Sequence, residues 1–439
     1  MPVQRIPSDE TLDLNITSDT RTDDVTEEAT TSTAGEVDAH SVPLDAIAAT
    51  YDHRMLGERS DAELVAAVAD VVSIPRSAPA DSFVLHAPLE LLARSQLLPL
   101  VAPSARRSAR LHLLAIAARY EAFGDPIPPS PDGAEVDADG RLDELVLGIE
   151  TGRLDLVDRA ALGLETEPVD PAVLLGRLAP VVIARTSAAA HGSIYLALLG
   201  ELGSSAREFT SLFHPLGREL ARNPDWRIGW IDHRSGQVGD EPDPTALFEA
   251  LATAPRLGLP GSSFIHPIMM QVDGDGPAAA LLQRFTGAPI TTAGVQSVLR
   301  VAALSMVRDT PEHAAYGWTH CLTLPQAVLA LSRHLGADDA GLAIAATHVL
   351  GFRAALGTVD LAIDDELVRP LPTAELRARI ASLATDAATR HDAHIVKYAL
   401  AVIIAARTDP GAADLYLSAG EHLLMTWDRN GGHPADHLR

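Results

Sequence analysis

Residues 392–406 read Asp392-Ala393-His394-Ile395-Val396-Lys397-Tyr398-Ala399-Leu400-Ala401-Val402-Ile403-Ile404-Ala405-Ala406. Apolar side chains recur there at spacings of three and four, the period of a helix, with almost nothing polar between them. The uninterrupted apolar run, Tyr398 to Ala406, is far too short to cross a bilayer, so the segment reads as a core helix. Two nitrogen bases interrupt it. His394 and Lys397 stand one helical turn apart on one face, and bases aimed into apolar surroundings are costly unless something binds them.

The same spacing returns from Asp61 onward in nearly every segment between turn signals. It predicts helices over Asp61–Val72, His86–Leu98, Ser104–Phe123, Pro171–Ile183, Ala188–Leu202, Thr292–Val307, Glu312–Leu335, Gly341–Leu356 and Thr373–Ala384. Strand signals are scarce: Trp226-Arg227-Ile228-Gly229-Trp230-Ile231 alternates, but it is isolated and reads equally as extended loop. The Pro-, Gly- and Asp-rich stretches 124–140 and 233–244 read as surface connections. The expected fold is all-α, one large multi-helix domain over residues 41–439.

Residues 1–40 differ. They hold ten Asp and Glu against two Arg, with many Thr and Ser and few large apolar residues, the composition of a disordered acidic tail. Over 439 residues the hydrophobic share is 47% while aromatics make up 4%, so the core must be built from Ala, Leu and Val. A net charge of -25 argues against unaided binding to nucleic acid or to an anionic membrane, since either polyanion is repelled. No basic segment followed by an apolar one opens the chain, so neither a signal peptide nor a membrane anchor is expected. One cysteine, Cys321, leaves no internal disulfide, Cys-rich zinc site or cysteine-held iron–sulfur cluster, which fits a cytoplasmic location.

Common cofactor cradles are missing. There is no Gly-x-Gly-x-x-Gly after a strand, no Walker loop, no Gly-x-Ser-x-Gly elbow and no His-Glu-x-x-His. Asp364-Asp365-Glu366 suggests a magnesium-diphosphate site only superficially, and reads as a solvated loop beside Pro370 and Pro372.

Histidines are left as the chemistry-bearing set. His86, His191, His320, His348 and His394 each sit in apolar or small-residue helix. Alone, each reads as a neutral imidazole bonded to a backbone carbonyl. Together they suggest a site for iron, zinc, copper or nickel, because side chains from several helices can converge in a bundle core. Lys397 and His394 also read as a surface pair. A buried lysine loses its proton more readily, however, and the neutral amine can add carbon dioxide to become a carbamate, an anionic oxygen ligand. His266 follows a Pro/Gly/Ser loop and either lines a pocket or is structural, and His214 precedes Pro215 at an expected helix end. His391 beside Asp392 is also compatible with a helical metal phosphohydrolase, although the downstream Asp of such enzymes is not easily found.

The order of four short motifs resembles the questin oxidase-like family. They are Leu85-His86-Ala87-Pro88-Leu89-Glu90-Leu91-Leu92, His191-Gly192-Ser193-Ile194-Tyr195-Leu196-Ala197, Trp318-Thr319-His320-Cys321-Leu322-Thr323-Leu324-Pro325 and Asp392-Ala393-His394-Ile395-Val396-Lys397, spread over most of residues 80–410. Fungal members of that family oxidise and open the rings of anthraquinone-type polyketides. The resemblance implies a mononuclear non-haem Fe(II) held by His86, His191, His320 and His394 with a carbamate on Lys397, and dioxygen as co-substrate. His391, one turn before His394, is the competing ligand, and His348 matches no motif. Tyr195, Tyr316 and Trp318 flank these motifs and, with His266, are candidates for contact with a flat aromatic substrate or else ordinary core residues. Thr319 and Thr347 are candidate orienting partners for the imidazoles. Two other functions fit the sequence: an NADPH-dependent Baeyer–Villiger-type oxidation without metal, although no dinucleotide motif is visible, and a non-catalytic helical scaffold.

Overall fold

Helices begin where the sequence supplies caps. Ser60 accepts from the Glu63 amide while Glu63 reaches back to the Ser60 amide, a reciprocal pair that opens α2 (Asp61–Val72). Asp170 caps α7 (Pro171–Ile183), whose first residue is a proline already fixed near helical φ. In a computed structural model, which describes residues 43–76, 82–127, 137–201, 206–228, 243–259, 265–272, 276–278, 281, 290–334, 341–363 and 365–431, the chain is all-α. The acidic segment 1–40 and much of the expected connections 124–140 and 233–244 lie outside the described residues.

The remaining helices are α1 (Leu44–His53), α3 (Ser82–Leu97), α4 (Arg106–Glu121), α5 (Ala138–Thr151), α6 (Leu154–Thr166), α8 (His191–Glu201), α9 (Ala206–Arg222), α10 (Pro244–Ala252) and α11 (Ile265–Val272). They are followed by α12 (Thr292–Arg308), α13 (Thr319–Ser332), α14 (Gly341–Leu356), α15 (Thr373–Ala388), α16 (Ala393–Thr408) and α17 (Ala413–Arg429). No strand occurs among the described residues; Arg227, inside the alternating stretch read above, makes only an isolated bridge with Arg185.

Burial sorts these helices by depth. Every residue of α14 is buried, and α16 is buried at almost every position from Ala393 to Ala406. A helix apolar on all sides belongs inside other helices, and the small side chains of both allow close approach. One apolar cluster runs from Ile47 to Trp427, so most of the described helices share a core. At its centre α3, α8, α13 and α16 pack pairwise in a closed ring: α3 on α8, α8 on α13, α13 on α16 and α16 on α3.

Two departures from regular periodicity fall on this ring. The segment read as one helix over Glu312–Leu335 divides into a 3-10 turn (Pro311–His313), a π turn (Ala314–Trp318) and α13. The segment read as helix from Ala188 begins instead at His191, because Ala188, Ala189 and Ala190 hold φ of 54°, 49° and 55°. Those are left-handed values that L-residues other than glycine adopt rarely.

Candidate metal centre

Each helix of the central ring contributes to one cluster. His86 comes from α3, His191 from the first residue of α8, His320 from the first turn of α13, and His394 and Lys397 from α16. None is more than 9% exposed. His191 Nε2 lies 3.0 Å from His86 Nε2, 2.9 Å from His320 Nε2 and 2.9 Å from Lys397 Nζ, while Lys397 Nζ lies 2.9 Å from His320 Nε2. The His394 ring completes the group, with centroids 4.6 Å from His86, 5.1 Å from His320 and 5.8 Å from His191. Ligand atoms of His86, His191 and His394 all fall within 4.8 Å of one another. His391 turns away and packs on His112, with ring centroids 4.3 Å apart.

Backbone carbonyls fix the imidazole tautomers. His191 Nδ1 faces the Ala188 carbonyl at 3.2 Å, a partner that the left-handed turn delivers three residues back in the chain. His320 Nδ1 faces the Tyr316 carbonyl, presented by the π turn. Assigned from those partners, the proton of each ring sits on Nδ1 and each Nε2 carries a lone pair. Two lone pairs then face one another at 2.9 Å. They repel unless a cation or a donor lies between them, and the Lys397 amine is the donor at hand. Thr319 and Thr347 do not orient the rings; their hydroxyls donate to Ala315 and Ile344 carbonyls of their own helices.

Electrostatics favour neutral bases throughout. Burial holds Lys397 well below the usual lysine range, against the pull of Asp392. Burial, then the Lys397 charge and the neighbouring imidazoles, holds His191, His320 and His394 well below theirs. Burial thus shifts each of these groups toward the unprotonated form that ligates metals. Asp392, just before α16, accepts from the His394 and Ile395 amides at 2.7 and 3.2 Å. Its Oδ1 stands 3.3 Å from His394 Nδ1.

The other residues singled out from sequence separate. The Tyr316 ring meets the His394 ring edge-on at 4.5 Å and so borders the cluster. Tyr195 and Trp318 are fully buried, with the hydroxyl given to the Leu212 carbonyl at 2.5 Å and the indole N–H to the Thr310 carbonyl at 3.2 Å. His266 stacks on Trp226 at 4.4 Å and contacts the Thr186 hydroxyl, which ties it to the segment leading into His191. His348 is buried apart from the cluster with Nδ1 at 3.3 Å from Met269 Sδ, and burial pushes it down to about 3. His214 is an inter-helix partner of Asp158, 2.9 Å away.

Phe352, which stacks on His320 at 6.5 Å, has no signal in the sequence, and Asp392, which the sequence offers as a partner of His391, stands instead beside His394. For Asp392 the signal was its position, two residues before His394 at the start of an apolar run. Among the described residues, no helix is long and apolar enough to cross a membrane. No family model, curated protein or solved structure matches the chain, so the chemistry of the site itself carries the functional reading.

Proposed function

We propose that the protein is a non-haem iron-dependent oxygenase, and that His86, His191, His320 and His394, with a carbamate on Lys397, hold the ion. One observation carries the reading: the lone pairs of His191 and His320 converge at 2.9 Å beside a third imidazole and a buried lysine whose charged form burial disfavours. A transition metal bonds imidazole nitrogen at about 2.1 Å, which puts adjacent octahedral ligands about 3.0 Å apart. The imidazole nitrogen spacings of 3.0 and 2.9 Å match that edge.

Neutral imidazoles suit several first-row metals. The choice of iron, of dioxygen and of an electron-rich aromatic polyketide ring as substrate rests on the resemblance to the questin oxidase-like family. When bound, the iron supplies dioxygen activation and ring oxidation. The chain's own residues do the rest. Carbonyls of Ala188 and Tyr316 hold two rings in the ligating tautomer, Phe352 and Tyr316 wall the cluster, and the neutral Lys397 amine would add carbon dioxide and release one proton to solvent, leaving the carbamate as its anionic donor. Cys321, buried and pushed up to about 12, stays a thiol and out of the chemistry, which suits a reducing cytoplasm.

Metal analysis tests the reading directly. Protein made in iron-supplemented cells should carry near-stoichiometric iron, and His191→Ala or His320→Ala should reduce it at least tenfold while the protein stays folded. Folded wild-type protein with no metal would sink the proposal. Turnover supported by NADPH alone would replace it with the metal-free oxidase, and the absence of both metal and turnover with a structural scaffold.

A further inference from the structure

Among the cluster imidazoles, His394 is oriented differently. His191 and His320 have backbone carbonyls at Nδ1, whereas His394 Nδ1 has a carboxylate as its near neighbour, Asp392 Oδ1 at 3.3 Å. Nδ1 of His394 is buried and makes no hydrogen bond, so a small ring rotation would turn the 3.3 Å approach to Asp392 into one. The other buried carboxylate nearby is committed: Glu90 is paired with Arg94 at 2.5 Å. Asp392 forms no ion pair with Arg or Lys among the described residues, and its side chain is four-fifths covered, at 19% exposed.

Charge balance gives this arrangement a purpose. Four imidazoles are neutral and a carbamate on Lys397 brings one negative charge, so a divalent ion in this apolar core would remain one charge short of neutrality. Uncompensated charge in such surroundings is expensive. We propose that Asp392 is the second negative charge of the centre, acting through His394. It accepts a hydrogen bond from Nδ1–H, turns Nε2 inward and makes that ring a stronger donor than His191 or His320, whose Nδ1 groups face neutral carbonyls. The proposal rests on the metal-centre reading above, and makes Asp392 a positioning residue rather than a ligand.

The competing role is helix capping alone, since Asp392 closes the first turn of α16. Asn and Ser cap nearly as well as Asp but carry no charge, which separates the two roles. Co(II) binding to the full chain in bicarbonate buffer, followed by chelator competition and visible absorption, is the experiment. Asp392→Asn and Asp392→Ser should weaken Co(II) binding about 10- to 100-fold and shift the cobalt absorption bands, with the melting temperature of the metal-free protein nearly unchanged. In a His394→Ala background the same Asp392→Asn change should cost less than about twofold, because the route through His394 is already gone.

Wild-type affinity and an unshifted spectrum in both Asp392 variants would overturn the role of Asp392 while leaving the centre intact. An undiminished loss in the His394→Ala background would overturn the route through His394. Failure of the wild-type chain to bind Co(II) would instead overturn the centre, and this proposal with it.

Discussion

Two polar sites lie in the same apolar core and are built on opposite principles. Arg353 and Asp309, both side chains at 0% exposure, form a charge-paired set, closed but for Arg353 Nε, which finds no partner. The guanidinium bonds Asp309 and the Ala252 and Val359 carbonyls, and Asp309 also takes the Thr358 amide and hydroxyl at 2.7 Å each. Charge meets charge there, so the pair locks the end of α12 to α14. The histidine and lysine cluster is open by contrast: its bases converge on one another, and Asp392 stands at its edge, beside the Nδ1 of His394. A closed polar set fastens helices; an open one is a socket.

The sharpest way to break this contrast is to remove one half of the closed pair. Asp309→Ala leaves Arg353 charged and buried, and should cost about 3–5 kcal/mol with a clear fall in melting temperature. Denaturant unfolding checks it. If iron were lost without loss of stability, the closed site would belong to the centre after all.

Acid should act on the open site next. His191, His320 and His394 have folded-state pKa values held below the unfolded value near 6.5. Between the two values the unfolded chain binds more protons, so the stability these groups allow is present above pH ~6.5 and is lost as pH falls below it. Each contributes on the order of 1 kcal/mol per pH unit in that window. Urea unfolding of chelator-treated protein at pH 7.5, 6.5 and 5.5 should show midpoints falling in that order. A flat profile would mean that the imidazoles are protonated or solvated in the folded protein.

Lys397→Met sharpens the comparison from the other side. Burial of an amine that would be protonated in the unfolded chain costs stability, so the variant should be more stable without metal, by about 1–3 kcal/mol, and unable to hold iron. Thermal melts with and without chelator read both effects. His348→Leu should do least: a buried imidazole beside Met269, outside the socket, should change stability by under about 1 kcal/mol and leave iron content untouched.

Periodicity alone carried helices of both kinds, the amphipathic α2 and α7 and the wholly buried α14. The limits of α2, α7 and α14 coincide with Asp61–Val72, Pro171–Ile183 and Gly341–Leu356 as read from spacing. It failed where the backbone changes hand or pitch, because a π turn and an α-helix bury nearly the same residues. Around 314–318 the deciding facts are tertiary: Gly317 packs so closely that a Cβ would collide with Leu356, and Trp318 is tied to Thr310.

Convergence of His86, His191, His320, His394 and Lys397 was legible as a set of bases in apolar helix, although nothing in the spacing reveals distances. Asp392 was harder to read as part of the site. A carboxylate beside a histidine looks the same in sequence whether it faces water or an imidazole.

The left-handed turn at Ala188–Ala190 has a mechanical consequence. Each L-residue held there stores roughly 1–2 kcal/mol, so three together rival much of the net stability of an ordinary domain. Released from its neighbours, the segment would rewind right-handed, extend α8 backward and carry His191 away from the Ala188 carbonyl. The surrounding core and the Ala190 amide's bonds to the Thr186 and Ser187 carbonyls oppose that release. His191, which touches His86, His320 and Lys397, is thus mounted on a wound spring, and on warming the cluster should lose its shape before the helices around it melt.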